Sequence, residues 1–486
     1  MSRNLSIFGG AFVVLAVIVG LLATTRATEG DAAILILLSV YVAGSVVAGV
    51  VAYLNLPRTL GLAMFALTNL FWFGWPGLNG ALGLHRYWGD FARYRLPVAV
   101  VVETAFAMVV FLILGLAGYA LARVGTRRAP VAPDGAPPEP VSFTSTRVLG
   151  GLFLLGVLPY LVLGGGITEI ISGIMQARSA SKPWSMGAHL VNDAGPLVII
   201  GRATLVTFCS AAFWLWIFRR ELAVSRRWSW FWLGAALFGL MVTFLDTGTR
   251  TWTLMIVGPG MLAVPLRARA SGRGRQAIVA VVVVLASLVA AQLQRAYRYV
   301  GGFQDLDEED VTKVSDNDFF TETAIAMDLV PRKFDYIGQV DVTLFVSHMV
   351  PRSIWPSKPI SEAIRLFTIG RDRKDAYVKT GLSRLPSIVG QQWMNFGWAG
   401  VMVMSLLYGL AFGAFERLIK PERMASFSSF TGIIGLVWLF SAARMLIPGF
   451  HYPVLISLLI VWFSWWRAAA RPKPVSVTNP LLATRR

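Results

Sequence analysis

The chain is 486 residues long, 56% hydrophobic and only 14% charged, with a mean hydropathy of +0.62 and a net charge of +18. That composition excludes a water-soluble globular domain, and the length leaves room for many spans of about 20 residues. Lys and Arg fall in short stretches between apolar runs, so the charge reads as a topology signal and contact with anionic membrane lipids; no nucleic-acid partner is expected.

Apolar runs predict spans near Leu5 to Ala23, Ala32 to Tyr53, Thr59 to Leu78, Pro97 to Leu121, Val148 to Leu163, Pro196 to Phe218, Trp230 to Leu245, Thr251 to Leu266 and Ala277 to Leu293. Three more are expected near Pro386 to Phe415, Phe427 to Ile447 and Pro453 to Trp466. The first run is longer than a usual signal-peptide core and is kept as a span. The expected fold is therefore all-α: a polytopic integral membrane bundle of about 12 transmembrane helices with one large external loop. By residue number the expected parts are N-terminal helices (1–121), a Pro/Ala/Gly-rich linker (122–147), middle helices (148–293), the external loop (294–385), C-terminal helices (386–467) and a basic tail (468–486).

Orientation follows from the basic connections at alternate crossings, which hold Arg123, Arg127, Arg128 and Arg147, then Arg219, Arg220, Arg226 and Arg227, then Arg267, Arg269, Arg273 and Arg275, then Arg417, Lys420 and Arg423. They belong on the cytoplasmic face, with both termini. The four histidines, His85, His189, His348 and His451, then fall on the outer side without metal-ligand spacing, so no metal is expected. Cys209 is the one cysteine, which excludes an internal disulfide.

Between Arg295 and Arg384 the loop carries thirteen Lys or Arg and fourteen Asp or Glu. The acids crowd its first part and the bases its second, which suits an anionic ligand held by the second half; paired charges on a solvated surface are the alternative. Ala324 to Val330 and Val340 to Met349 show three- and four-residue apolar spacing and are expected to lie on the membrane surface as amphipathic helices. Arg352 and Lys358 flank Trp355, at the level where aromatics meet headgroups. The turn Asp246 to Arg250 opens a span whose N-terminus faces outward. Arg250, free N–H groups and the helix dipole there suit an anion; an Asp246 to Arg250 ion pair, or an arginine snorkelling to headgroups, is the competing explanation. The span from Pro386 is about 30 residues, roughly 45 Å as helix, so Gln391, Gln392 and Asn395 are expected to project above the lipid or line a wet cavity.

Asp335-Tyr336-Ile337-Gly338 followed by His348-Met349-Val350-Pro351-Arg352-Ser353-Ile354-Trp355-Pro356-Ser357-Lys358-Pro359 resembles the large external loop of bacterial O-antigen and exopolysaccharide repeat-unit polymerases, the Wzy family. Pro386 to Gly400 and Thr247-Gly248-Thr249-Arg250 are similar to that family too, and the motif-level likeness runs from Leu245 to Leu410. The resemblance implies a membrane glycosyltransferase of class C-type architecture that needs no cofactor or nucleotide sugar. Such an enzyme moves a growing glycan from undecaprenyl diphosphate onto the non-reducing end of a new lipid-linked repeat unit, at the outer face of the bacterial cytoplasmic membrane. It works beside a flippase and a chain-length regulator. On that reading Arg250 and Arg352 stabilise the departing diphosphate, with Lys358 and Arg365 as further cationic contacts. His348 and Asp341 are candidate bases, and Trp355, Gln391 and Asn395 candidate substrate contacts. A glycan ligase with the same lipid donor and a transporter of lipid-linked saccharide are the rivals. A transporter would need charged groups near mid-bilayer, where Glu103 and Arg202 are the candidates.

Overall fold

The computed structural model describes residues 29–56, 58–82, 96–124, 146–163, 195–247, 250–268, 318–347, 350, 353–358, 361–371, 385–447 and 449–469, with a few isolated helical positions besides. Every regular element among them is helical. In order they are α1 (Glu29–Leu54), α2 (Leu60–Asn69), a π-helical turn (Leu70–Gly74), α3 (Trp75–Leu82), α4 (Val98–Val124), α5 (Thr146–Leu163), α6 (Gly195–Ile217), α7 (Arg226–Thr247) and α8 (Arg250–Ala268). After these come α9 (Phe319–Leu329), α10 (Val340–Ser347), α11 (Glu362–Arg371), α12 (Ser387–Leu418), a 3₁₀ turn (Pro421–Arg423), α13 (Phe427–Ala442) and α14 (Tyr452–Ala469). Four stretches, Ala32–Leu54, Val98–Val124, Leu197–Ile217 and Ser387–Leu418, are helices long and apolar enough to cross a membrane. The expected spans near Leu5 to Ala23 and Ala277 to Leu293 lie outside the described residues.

Large apolar side chains face outward along these helices, among them Ile113 on α4, Leu154 and Leu161 on α5, Val403 on α12 and Trp462 on α14. A surface so apolar is that of a helical membrane protein, whose outer side chains meet acyl chains instead of water. Hydroxyls inside the bundle bond back to the preceding turn, as Thr104 does to the Val100 carbonyl (2.7 Å), Thr207 to Ala203 (2.8 Å) and Thr431 to Phe427 (2.9 Å). These bonds give the three hydroxyls a partner in an apolar setting.

The helices form two groups. One packs α2, α4 and α9 around α12, with α1 against α2 and α4; the other packs α5, α7, α8 and α14 around α6; and α13 touches both α12 and α8. The α4–α12 contact depends on missing side chains. A Cβ on Gly409 would stand 1.8 Å from the Gly115 carbonyl oxygen, and one on Gly118 would stand 2.1 Å from that of Leu406. Small residues at this spacing let two backbones touch, which is how helices gain dispersion energy where lipid offers no hydrophobic drive. One end of the crossing is tied by Glu416. Its carboxylate accepts from the Arg123 guanidinium, from Tyr119 OH (2.8 Å) and from Gly61 N (2.6 Å), capping the start of α2.

Three expectations are corrected. Ala324 to Val330 does not lie on a membrane surface: α9 is buried along almost its whole length, with Phe320 against Gly77, Ala326 against Gly390 and Thr323 Oγ1 2.7 Å from Ser387 Oγ. Its polar start is satisfied locally by Asp318, which accepts from Thr321 N (2.9 Å). Second, α12 is not one straight rod. Gly397 adopts φ 61°, ψ −142°, and the carbonyls of Met394 and Asn395, which a continuous helix would turn toward Trp398 and Ala399, accept from Ile337 N (2.9 Å) and Gly338 N (3.0 Å). Third, α13 stops at Ala442, five residues before the expected end, and Arg444 lies beyond it with its guanidinium 5.8 Å from the Trp72 ring and 5.7 Å from that of Phe319.

Candidate active site

At the end of the bundle where α12 begins, polar side chains are gathered inside protein. Gln391, Gln392 and Asn395 are all buried among protein side chains. Gln391 joins three segments: its amide nitrogen donates to Asp341 Oδ2 (3.3 Å) and its amide oxygen accepts from Leu446 N (3.1 Å). Asp341 Oδ1 accepts from Glu362 N (3.0 Å) at the start of α11. A carboxylate at a helix N-terminus faces free N–H groups and the positive end of the dipole, so Asp341 is built as a clamp between α10, α11 and α12. Burial pushes its carboxyl above the usual range, while the bonds from Gln391 and Glu362 N pull the other way. Both oxygens are engaged, which disfavours the role of free base expected for it.

Asn395 lies one turn beyond Gln391. Its side chain is 1% exposed and neither amide atom has a hydrogen-bond partner in the protein. Its backbone carbonyl holds Gly338 N. A buried amide with no partner is costly, so this position suits an ordered water or a ligand group.

The cationic candidates sit differently. Lys358 Nζ donates to the Val350 carbonyl (2.8 Å), and Trp355 Nε1 donates to Ser357 Oγ (3.1 Å). Arg365 pairs with Glu362 through Nε (2.8 Å) and a second, shorter contact. Arg250 is the first residue of α8; His348 and Arg352 lie outside the described residues.

The turn before α14, given no special role in the sequence, joins the start of α8 to α10. Phe450 packs on Trp252, two residues into α8, with ring centroids 4.5 Å apart. His451 packs on Phe345 of α10 at 4.1 Å, three residues before His348 in the chain. Phe450, His451 and Trp252 are all buried. Two consecutive residues thus hold the α8 N-terminus and the last turn of α10 on either side of one short segment. Only the apolar flank of Phe450 hinted at this, since such contacts have no sequence spacing. Glu103, a transporter candidate, accepts from Trp398 Nε1 (3.2 Å), and Arg202 is buried on α6. Among the described residues no three or more His, Cys, Asp or Glu side chains come together to hold a metal ion.

Beside α11 is a recess of about 840 Å³, lined by Pro331 to Ile337, Val340, Glu362 and Leu366.

A protein-family model described as a domain of unknown function (DUF8712) matches residues 310–423. That stretch holds α9 to α12, the Asp341–Gln391 clamp and the recess, but neither Arg250 nor the Phe450–His451 turn. No curated protein matches the chain, and neither does any solved structure.

Proposed function

We propose that the protein polymerises undecaprenyl-diphosphate-linked oligosaccharide repeat units into a surface polysaccharide at the outer face of the bacterial cytoplasmic membrane. It does so as a class C-like membrane glycosyltransferase of about twelve spans with both termini inside. The observation that supports this reading best is the bridge at Phe450 and His451, which brings the helix start carrying Arg250 close to the α10 end that leads into His348 and Arg352. In the reaction an acceptor hydroxyl of the incoming unit attacks the anomeric carbon of the growing chain. The bond to diphosphate breaks, the leaving group takes the electron pair, and the hydroxyl proton passes to a base. Negative charge grows on the diphosphate oxygens, and preorganised guanidinium groups at the membrane surface stabilise it by charge-assisted, bidentate bonds. The free N–H groups of the α8 N-terminus add to the same field. With Asp341 engaged as a clamp, His348 becomes the better base candidate.

Arg250→Ala and Arg352→Ala in correctly inserted protein should each stop chain extension and leave single lipid-linked repeat units to accumulate in complemented deletion cells. Normal polymer from both variants would refute the proposal. Transfer of glycan to a terminal lipid or protein acceptor, without lengthening, would make the protein a ligase using the same donor.

A further inference from the structure

Next to the clamp, the recess at Pro331 to Ile337 and α11 has features that the diphosphate chemistry does not use. Its volume, about 840 Å³, lies within the roughly 300–1,000 Å³ of small-molecule sites. Its wall mixes an exposed aromatic, Tyr336, and a half-buried one, Phe334, with Arg332 and Lys333 on one side of the charge balance and Asp335 and Glu362 on the other. Two of these charges are held in place: Arg332 pairs with Asp328 (2.5 Å), and Glu362 is gripped by Arg365. A lining of balanced charge gives no net attraction for a phosphate, and the charged groups among its apolar ones disfavour an acyl chain. A saccharide has what such a wall recognises: C–H faces that pack on an aromatic ring, and many hydroxyls that act as both donors and acceptors toward fixed carboxylates and guanidinium groups.

The floor is also built for the purpose. Tyr336 rests on Gly397, where a Cβ would come within 3.2–3.3 Å of its ring and hydroxyl, and the following two residues are bonded to the α12 carbonyls exposed by the break. The break in α12 therefore seats the Tyr336 ring. The distance to the reacting end is short as well, because Val340 lines the recess and begins α10, whose far end reaches Phe345 and His451. Seven steps of about 1.5 Å separate Val340 from Ser347, about 10 Å along one short helix.

We propose that this recess binds the oligosaccharide portion of a lipid-linked substrate, with Tyr336 as the stacking surface and α10 spacing the bound sugars from the reacting bond. The inference rests on the polymerase reading for the identity of the ligand, but the site is defined by its own lining. The test uses purified full-length protein in nanodiscs. The probe is oligosaccharide released by mild acid from the lipid carriers of the same cells and fluorescently tagged at its reducing end. Wild-type protein should bind the probe saturably. Tyr336→Ala should weaken binding at least tenfold, and Tyr336→Phe should keep it within about threefold, since the stacking face remains. Val340→Trp, which fills the recess, should also weaken binding at least tenfold and serves if Tyr336→Ala does not fold. No binding by wild type, or equal binding by Tyr336→Ala or Val340→Trp, would overturn the proposal. The two readings fail separately. Probe binding that depends on Tyr336, together with normal polymer from the Arg250 and Arg352 variants, would leave the recess standing and remove the polymerase chemistry; the reverse pattern would remove the recess alone.

Discussion

Gly397→Ala is the most informative single change, because it tests whether the break in α12 is built in or incidental. At φ 61°, ψ −142° the residue occupies a region open essentially to glycine, and holding alanine there costs about 1–3 kcal/mol. The alternative is for α12 to straighten, which would take the Met394 and Asn395 carbonyls from Ile337 N and Gly338 N at about 1 kcal/mol each. The loss is therefore about 1–3 kcal/mol by the first route and about 2 kcal/mol by the second. Crowding against Tyr336 is the smaller effect, because a Cβ at 3.2–3.3 Å asks that half-exposed ring to give by only a few tenths of an ångström. Unfolding in mixed micelles of increasing SDS fraction, followed by tryptophan fluorescence, would measure the loss. Gly234→Ala is the control: a Cβ there meets nothing within 4 Å, and the better helix former should leave stability unchanged or raise it by up to about 1 kcal/mol. A Gly397→Ala protein within about 0.5 kcal/mol of wild type would refute the reasoning. The double variant with Tyr336→Ala separates the two causes: additive losses mean backbone strain, and coupling above about 0.5 kcal/mol means crowding.

Gly409→Leu should prevent the α4–α12 contact altogether, since even a Cβ would stand 1.8 Å from a backbone oxygen; monodisperse protein on size-exclusion chromatography would contradict this. Glu416→Gln should cost about 1–3 kcal/mol by weakening the cap on α2 and the bond from Arg123, read in the same SDS titration. For Asp341 the sign follows from burial. Its carboxyl titrates above the unfolded value near 3.9, so the fold binds more protons than the unfolded chain between those two values, and stability falls as pH rises through that window. Asp341→Asn should flatten that part of the pH profile, and superimposable profiles for the two proteins would count against the assignment. Lys358→Ala should remove the bond to the Val350 carbonyl at about 1 kcal/mol and raise the rate of limited proteolysis near residues 353–358.

Long apolar runs were the most readable part of the sequence: α1, α4 and α6 lie within about three residues of their expected bounds, and α8 begins at Arg250. Hydropathy alone sets those limits. The loop was harder because its helices take their environment from partners far along the chain. The apolar spacing of α9 suggested a helix resting on the membrane surface, yet Asp318 caps it and its side chains pack against α4, α12, α3 and the π-helical turn. The bond between Asp341 and Gln391 spans 50 residues, and the ring contacts of Phe450 and His451 reach back 198 and 106 residues; no local pattern encodes them. Gly397 was visible as a glycine, but its left-handed backbone follows from the loop docked on α12, which only the fold supplies.

The enclosure of α6 has a consequence for biogenesis. This helix is buried over most of its length, with Arg202, Thr204, Thr207 and Ser210 turned away from any outer surface, and its neighbours include α14, the final described helix. Roughly 250 residues of chain separate the end of α6 from the end of α14, so that part of its wall is synthesised long after α6 itself. Its arginine and hydroxyls must then shelter against α5 or the insertion machinery until α14 arrives, so a chain truncated before Tyr452 would leave that flank open to lipid and become a target for membrane quality control.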